Sequence, residues 1–202
     1  MEVQYDKDYY ERGVQSGKSC YVDYRWIPEL TIPMAMAMID FLDIKKDETI
    51  LDFGCAKGYL VKAFRLLHRK AWGCDCSKYA IDNVDTSVQD YCSDKYDDVE
   101  VDICISKDVF EHIHPDDLSI ILSKLKADSL FVVVPLGDHG KYVVPAYHMD
   151  KTHVVCENEY WWEDLFRRNG WKLADFRYRV EGIKDNWSQF PRGNGFFTLQ
   201  RE

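Results

Sequence analysis

The chain has 202 residues, with 26 Lys plus Arg against 35 Asp plus Glu and a formal charge of −9. Apolar residues make up 46% and charged residues 30%, the composition of a soluble globular chain with enough material for one domain, or a domain with an appended cap, and not of a disordered one. The negative balance opposes a phosphate backbone, so no long nucleic acid is expected as a partner.

No apolar run approaches the ~18 residues of a membrane span. Met1-Glu2-Val3-Gln4-Tyr5-Asp6 lacks the basic-then-apolar layout of a secretion signal. A cytoplasmic chain with no membrane partner is expected. Its seven cysteines are odd in number and do not form spaced pairs, which reads as reduced thiols. Cys74-x-Cys76 is the one close pair, and no second pair stands at zinc-ligand spacing.

Residues 1–28 are rich in Tyr and charge, with Gly13 and Gly17 as breakers, and read as an extended or partly helical lead-in. From Thr31, a potential cap, the positions of Met34, Met38, Ile39, Phe41 and Leu42 predict a helix. Thr49 to Phe53 is a short buried-strand run, closed by Gly54. After Gly58, Leu60, Val61, Phe64 and Leu67 fall on one helical face. Ala71 to Asp75 is a second strand, Lys78 to Asn83 a brief helix, Val84 to Val88 a weak strand and Val101 to Ile105 a firm one. Pro115, Asp116 and Asp117 open a helix with Leu118, Ile121, Leu122 and Leu125 inward, and Leu130 to Val134 is a fully apolar strand. A polar stretch to Cys156 precedes a helix from about Asn158 to Asn169 that ends at Gly170. Trp171 to Val180 and Gly195 to Leu199 then predict a terminal hairpin. Apolar strands alternating with amphipathic helices predict an α/β fold with a mostly parallel sheet covered on both faces.

The stretch Leu51-Asp52-Phe53-Gly54-Cys55-Ala56-Lys57-Gly58-Tyr59-Leu60 is a strand ending in an acid, a Gly-x-x-x-Gly turn and a helix. Small residues at such a turn let a ligand approach the backbone, and the carboxyl-end crevice of an open α/β sheet is where ligands sit. A plain tight turn is the competing reading. Asp75 ends the next strand, where a carboxylate can accept two hydrogen bonds from a ribose diol. Asp90, after the weak third strand, is placed to accept from an adenine amino group, or is one more member of the acidic run from Asp82 to Asp102.

These residues resemble the class I S-adenosylmethionine-dependent methyltransferases, in their small-molecule branch. Leu51 to Gly58 resembles their first motif and Gly73-Cys74-Asp75 the ribose-binding second strand. Val101 to Ser106 with Asp108-Val109-Phe110-Glu111-His112-Ile113 resembles the fourth strand and its turn. Asp150-Lys151-Thr152-His153-Val154 and Trp162-x-x-Leu165-Phe166-x-x-x-Gly170-Trp171 resemble the segment before and through the last core helix. Covering about residues 30 to 202, the resemblance implies a three-layer Rossmann-like fold of seven strands with a C-terminal antiparallel hairpin. It also implies S-adenosylmethionine as cofactor, held by Asp52, Gly54, Cys55, Ala56, Gly58, Asp75, Cys76, Asp90, Tyr91, Ser106, Lys107 and Asp108. Two positions depart from the pattern. Ala56 stands where the family has its central glycine, and Lys57 replaces a small hydroxyl residue, its side chain either turned away or paired with the cofactor's carboxylate.

Two rivals stand beside methyl transfer. An NAD-dependent oxidoreductase needs Gly-x-Gly-x-x-Gly, but Ala56 and Tyr59 occupy two of those glycine positions. A catalytically silent S-adenosylmethionine-binding protein is the other. Among acceptors, Ser106-Lys107-Asp108-Val109 lacks the Asn/Asp-Pro-Pro-aromatic box of DNA-amine enzymes, and Pro135 is followed by Leu136, not by a nucleophilic Cys. Together with the charge, this favours a small-molecule acceptor. Tyr5, Tyr9, Tyr10, Tyr21, Tyr24 and Trp26 suit a cap folding over an aromatic or sulfonium ligand, or simple packing onto the core. Within loop 137–156, His153 and then His148 are the candidate bases for an acceptor that carries a proton, the alternative for His153 being to fix the loop. No metal is expected: methyl transfer is an in-line displacement at an activated carbon, and His112-x-His114 before Pro115 reads as a helix entrance. Oligomeric state is not written in the sequence.

Overall fold

The computed structural model describes residues 5–96, 99–185 and 189–202, so the first four residues of the lead-in, part of the acidic run and part of the terminal loop lie outside the described residues. The chain divides into two compact units, Met1–Asp97 with Met149–Thr152, and Asp98–His148 with His153–Glu202.

In the first unit the lead-in forms two short helices, α1 (Lys7–Glu11) and α2 (Gly13–Ser16). The carboxylate of Asp6 caps α1 by accepting from the Tyr9 amide, and Gly17, at φ 69°, ends α2. Helix α3 (Pro28–Leu42) starts three residues before the predicted Thr31, because Pro28 supplies a pre-set φ at its first position. Thr31 lies inside its first turn, and its hydroxyl donates to the Ile27 carbonyl. Of the methionines of α3, Met38 is buried in the core and Met36 is exposed.

Strand β1 (Thr49–Phe53) is followed by α4 (Tyr59–Leu66), and β2 (Lys70–Cys74) by α5 (Lys78–Asp82). These two strands pair in parallel from Thr49 opposite Lys70 to Phe53 opposite Cys74. The third strand differs from expectation. Val84 to Val88 is not extended, and β3 is the short pair Cys92–Ser93, parallel to β2. Asp85 shows the reason: its carboxylate accepts from the amide and hydroxyl of Ser87 and pairs with Lys62, turn chemistry that competes with a strand ladder.

In the second unit β4 (Val101–Lys107) leads through a 3₁₀ turn, Phe110–His112, to α6 (Pro115–Lys124) and β5 (Ala127–Pro135). The small hairpin β6 (Gly137–Asp138) and β7 (Lys141–Tyr142) precedes α7 (Glu159–Arg168), which the Asn158 side chain caps, and then β8 (Trp171–Arg177) and β9 (Asn194–Arg201). The order here is β4-β5-β9-β8, with β4 and β5 parallel and β9 antiparallel to both β5 and β8. Trp162, Phe166, Trp171, Phe131, Phe196 and Phe197 are fully buried and form much of this unit's core. The indole N–H of Trp171 donates to the Leu122 carbonyl at 3.1 Å, so its burial leaves no orphan donor. The fold is the expected one: α/β, with a mostly parallel seven-stranded sheet and a C-terminal antiparallel hairpin. No helix among the described residues is long and apolar enough to cross a membrane.

Candidate functional site

In the first unit the turn after β1 is built from left-handed backbone. Gly54, Ala56 and Gly58 have φ of 83°, 49° and 72°. The amides of Gly54 and Cys55 both donate to the Cys74 carbonyl, which ties the turn to the end of β2. A side chain at Gly58 would come within 2.9 Å of the Cys92 sulfur, and one at Gly73 within 2.6 Å of the Cys55 Cβ. Both glycines therefore answer to close approach as well as to turn shape. Ala56 takes up the left-handed position without glycine's freedom, a strain of about 1 kcal/mol.

Asp75 stands one residue past β2, where the sequence analysis puts a ribose-binding acid. Its role is wider than that. One carboxylate oxygen accepts from the Ala56 amide at 2.8 Å and the other from the Ser77 amide at 2.7 Å, so Asp75 also braces the glycine turn. Burial raises its pKa, and the two backbone donors pull the other way. An ionised carboxylate has about four acceptor positions, which leaves capacity for a diol. Asp52 is buried in β1, Cys55 is buried behind the turn, and Cys76 is exposed beside Asp75. Asp90 is exposed in a 3₁₀ turn that precedes β3 instead of following it, and the neighbouring Tyr91 ring is covered by the Arg65 guanidinium.

The lead-in packs on this turn. Tyr9 and Tyr10 are buried in one cluster with Ala56 and Ala80, and Tyr5, Tyr21, Tyr24 and Tyr79 surround them. The rings of Tyr24 and Tyr59 stack at 5.3 Å. Tyr9 donates to Asp150, whose other oxygen accepts from the amide and hydroxyl of Thr152. Lys57 turns away from the glycine turn towards Glu11, which lies 3.2 Å from its ammonium and also accepts from the Tyr79 hydroxyl. Of the two readings of Lys57, the structure has it turned towards the lead-in. Burial raises the pKa of both Tyr9 and Tyr10 well above the usual phenol range, so they stay neutral donors at physiological pH.

In the second unit Ser106 and Lys107 end β4, and Asp108 follows at φ 58°. The Ser106 hydroxyl is buried, with no hydrogen-bond partner among the described residues. The Asp108 carboxylate lies between the ammonium groups of Lys107 and Lys184. Burial alone would raise its pKa, but the two lysines outweigh it and hold the group well below the usual carboxylate range. Lys184, from the terminal loop, was not among the sequence candidates. Nothing local marks it, and only the fold brings it to Asp108.

Three residues further on, Glu111 is 1% exposed. Burial, reinforced by the charge of Asp108, pushes its pKa up to about 8. Its backbone carbonyl accepts from the amides of Val154 and Val155 at 2.8 and 3.0 Å, which sets His153 against it. The His153 Nε2 is 4.0 Å from a Glu111 oxygen, and its ring meets those of His112, Tyr142 and Tyr147. His148 is exposed, and its Nε2 accepts from the Tyr142 amide at 3.2 Å, which commits that atom to the loop. His114 is exposed, with Asp116 at 3.9 Å.

Residues 51–127 match the family model described as a methyltransferase domain. The chain carries a methyltransferase domain over that segment, which holds the glycine turn, Asp75 and the end of β4. It is a methyltransferase with S-adenosylmethionine as its cofactor. No curated protein matches it by sequence. Three solved structures similar to this methyltransferase share its fold. The first is an S-adenosylmethionine-dependent methyltransferase from Archaeoglobus fulgidus, 14% identical, with a TM-score of 0.62 over 83% of this chain and 92% of that one. The second is magnesium protoporphyrin IX methyltransferase from Synechocystis with bound S-adenosylhomocysteine, 13% identical, with a TM-score of 0.62 over 85% and 83%. The third is 1,6-didemethyltoxoflavin-N1-methyltransferase from Burkholderia thailandensis, 14% identical, with a TM-score of 0.58 over 84% and 76%. The glycine turn of this chain lies in the matched segment; the tyrosine lead-in and His153 lie outside it.

Proposed function

We propose that this methyltransferase acts in the cytoplasm on a small-molecule acceptor, moving the methyl group of S-adenosylmethionine to an O, N or C nucleophile. The observation that carries the reading is the glycine turn braced by Asp75 and packed under tyrosines of the lead-in. Asp75 offers its remaining lone pairs to the ribose, the turn lets the cofactor approach the backbone, and residues 1–28 act as the lid of a domain formed by 29–202. The acceptor's lone pair attacks the methyl carbon, the C–S bond breaks, and its electron pair stays on sulfur to give S-adenosylhomocysteine.

A charge of −9 disfavours a long nucleic acid as acceptor. The Synechocystis and Burkholderia proteins, named for a porphyrin and a toxoflavin precursor, support a small acceptor. All seven cysteines are outside disulfides, in keeping with a reducing compartment. For an acceptor that brings a proton, His153 is the proposed base. His148 is second, because its Nε2 is already hydrogen-bonded.

The test is to incubate metabolite extracts with the protein and cofactor carrying a labelled methyl group, and to identify the labelled product. Label in a small metabolite is expected; label only in protein or nucleic acid overturns the acceptor class. Calorimetry with S-adenosylhomocysteine and NADH on the same sample checks the cofactor, with binding expected for the first alone.

A further inference from the structure

We propose that Glu111, His112 and His153 form a binding site for a divalent transition-metal ion of the zinc type. One ligand atom from each of the three lies within 4.8 Å of the others. Two imidazoles and a carboxylate are a donor set that zinc favours. The grouping is held by backbone, since the Glu111 carbonyl accepts from both Val154 and Val155 and so fixes the register of the segment carrying His153. The His112 and His153 rings meet edge to face at 4.6 Å.

A second observation points to a missing ligand. Glu111 is 1% exposed, and its Oε2 has no hydrogen-bond partner among the described residues. A carboxyl oxygen buried without a hydrogen-bond partner is costly, and a cation that replaces the carboxyl proton removes that cost. In tetrahedral zinc, with bonds of about 2.1 Å, ligand atoms lie about 3.4 Å apart, so the three side chains need to close by roughly 1 Å. The rings of Tyr142 and Tyr147, at 5.4 and 6.2 Å from His153, wall the cluster with aromatic surface.

Three protein ligands leave one position open, as in catalytic zinc sites. That position takes water or, on the methyl-transfer reading above, an oxygen of the acceptor. With the metal bound, the His153 nitrogen that ligates it has no lone pair left to act as a base, and metal-bound water takes over that part. The role rests on that reading; the binding of the metal does not. The expectation of a metal-free protein considered His112-x-His114, whereas the fold joins His112 to His153.

The experiment uses the full chain, stripped with a chelator, dialysed and titrated with Co²⁺ and then Zn²⁺. Expected are one equivalent of Co²⁺ with visible bands of nitrogen and oxygen ligation, and displacement by Zn²⁺. Glu111→Gln and His153→Gln should each weaken Zn²⁺ binding at least tenfold, and His114→Ala should leave it unchanged. His112→Ala carries the same test if Glu111→Gln does not fold. S-adenosylhomocysteine binding, measured on every sample, reports the fold and the methyltransferase reading separately. A wild-type sample that binds S-adenosylhomocysteine but no stoichiometric metal overturns the site. Metal affinity unchanged in the variants, or a thiolate charge-transfer spectrum from the cysteines, does the same.

Discussion

The carboxylate of Asp75 accepts a hydrogen bond from the amide of Ala56 at 2.8 Å, which couples the acid at the end of one strand to the left-handed turn after its neighbour. Loss of this side chain removes a brace and, on the proposed function, a cofactor ligand. Asp75→Ala should therefore weaken S-adenosylhomocysteine binding by roughly 10- to 150-fold, the range of a hydrogen bond to a charged group, and also lower Tm. Calorimetry and melting curves read the two effects. Asp75→Asn, which keeps one acceptor oxygen, should fall between.

Ala56 holds a φ of 49°, a conformation that glycine adopts without strain. Ala56→Gly should raise stability by about 1 kcal/mol in denaturant titration, with the slope of the transition unchanged. Cofactor affinity should be retained, because the amide that faces Asp75 stays in place. A destabilised variant would show that the Ala56 methyl contributes more to the tyrosine cluster than the turn loses in strain.

Lys57 has a side chain 9% exposed and Glu11 one 30% exposed, so their ion pair is largely shielded from solvent. Removing one partner of such a pair costs more than replacing the cation with an apolar side chain. Glu11→Ala should destabilise the protein by about 2 kcal/mol, discounted for the partial exposure of Glu11, and should speed proteolysis within the lead-in. Lys57→Met should change stability by less than about 1 kcal/mol. Equal losses in the two variants would argue against a desolvated lysine.

Burial holds the phenols of Tyr9 and Tyr10 protonated well above the range of a free tyrosine, and burial together with Glu11 pushes Tyr79 up to about 12. In the unfolded chain these groups lose their protons near pH 10, so above that pH the unfolded state binds fewer protons than the native one. Their contribution to stability is complete below about pH 10 and is lost as pH rises through the raised native values. Tm should fall steeply above about pH 10, and Tyr9→Phe should flatten that slope. Tyrosinate absorbance during alkaline titration follows the same event.

His153→Gln should lower turnover by about a hundredfold or more once an acceptor is known, with S-adenosylhomocysteine affinity and Tm unchanged. A variant that merely melts earlier, or that stays fully active, would assign His153 to holding the loop. His148→Gln should have little effect on turnover, since its Nε2 serves the Tyr142 amide.

The α/β class, the strand-turn-helix from Thr49 to Leu66 and the acid after β2 were legible in the sequence, because each rests on periodicity or on a turn whose chemistry is local. The third strand was not. Two residues of β3 carry no period, and the Asp85 turn lies where the weak strand Val84 to Val88 was expected. Only the tertiary structure decided that Asp75 braces Ala56, that Lys57 answers Glu11, and that Lys184 comes to Asp108. The tertiary structure likewise turns Asp150 and Thr152 to the lead-in while their neighbour His153 joins Glu111. These are pairings between segments distant along the chain, set by which buried charges and backbone groups must find partners once the strands have assembled, and residue spacing carries no record of them.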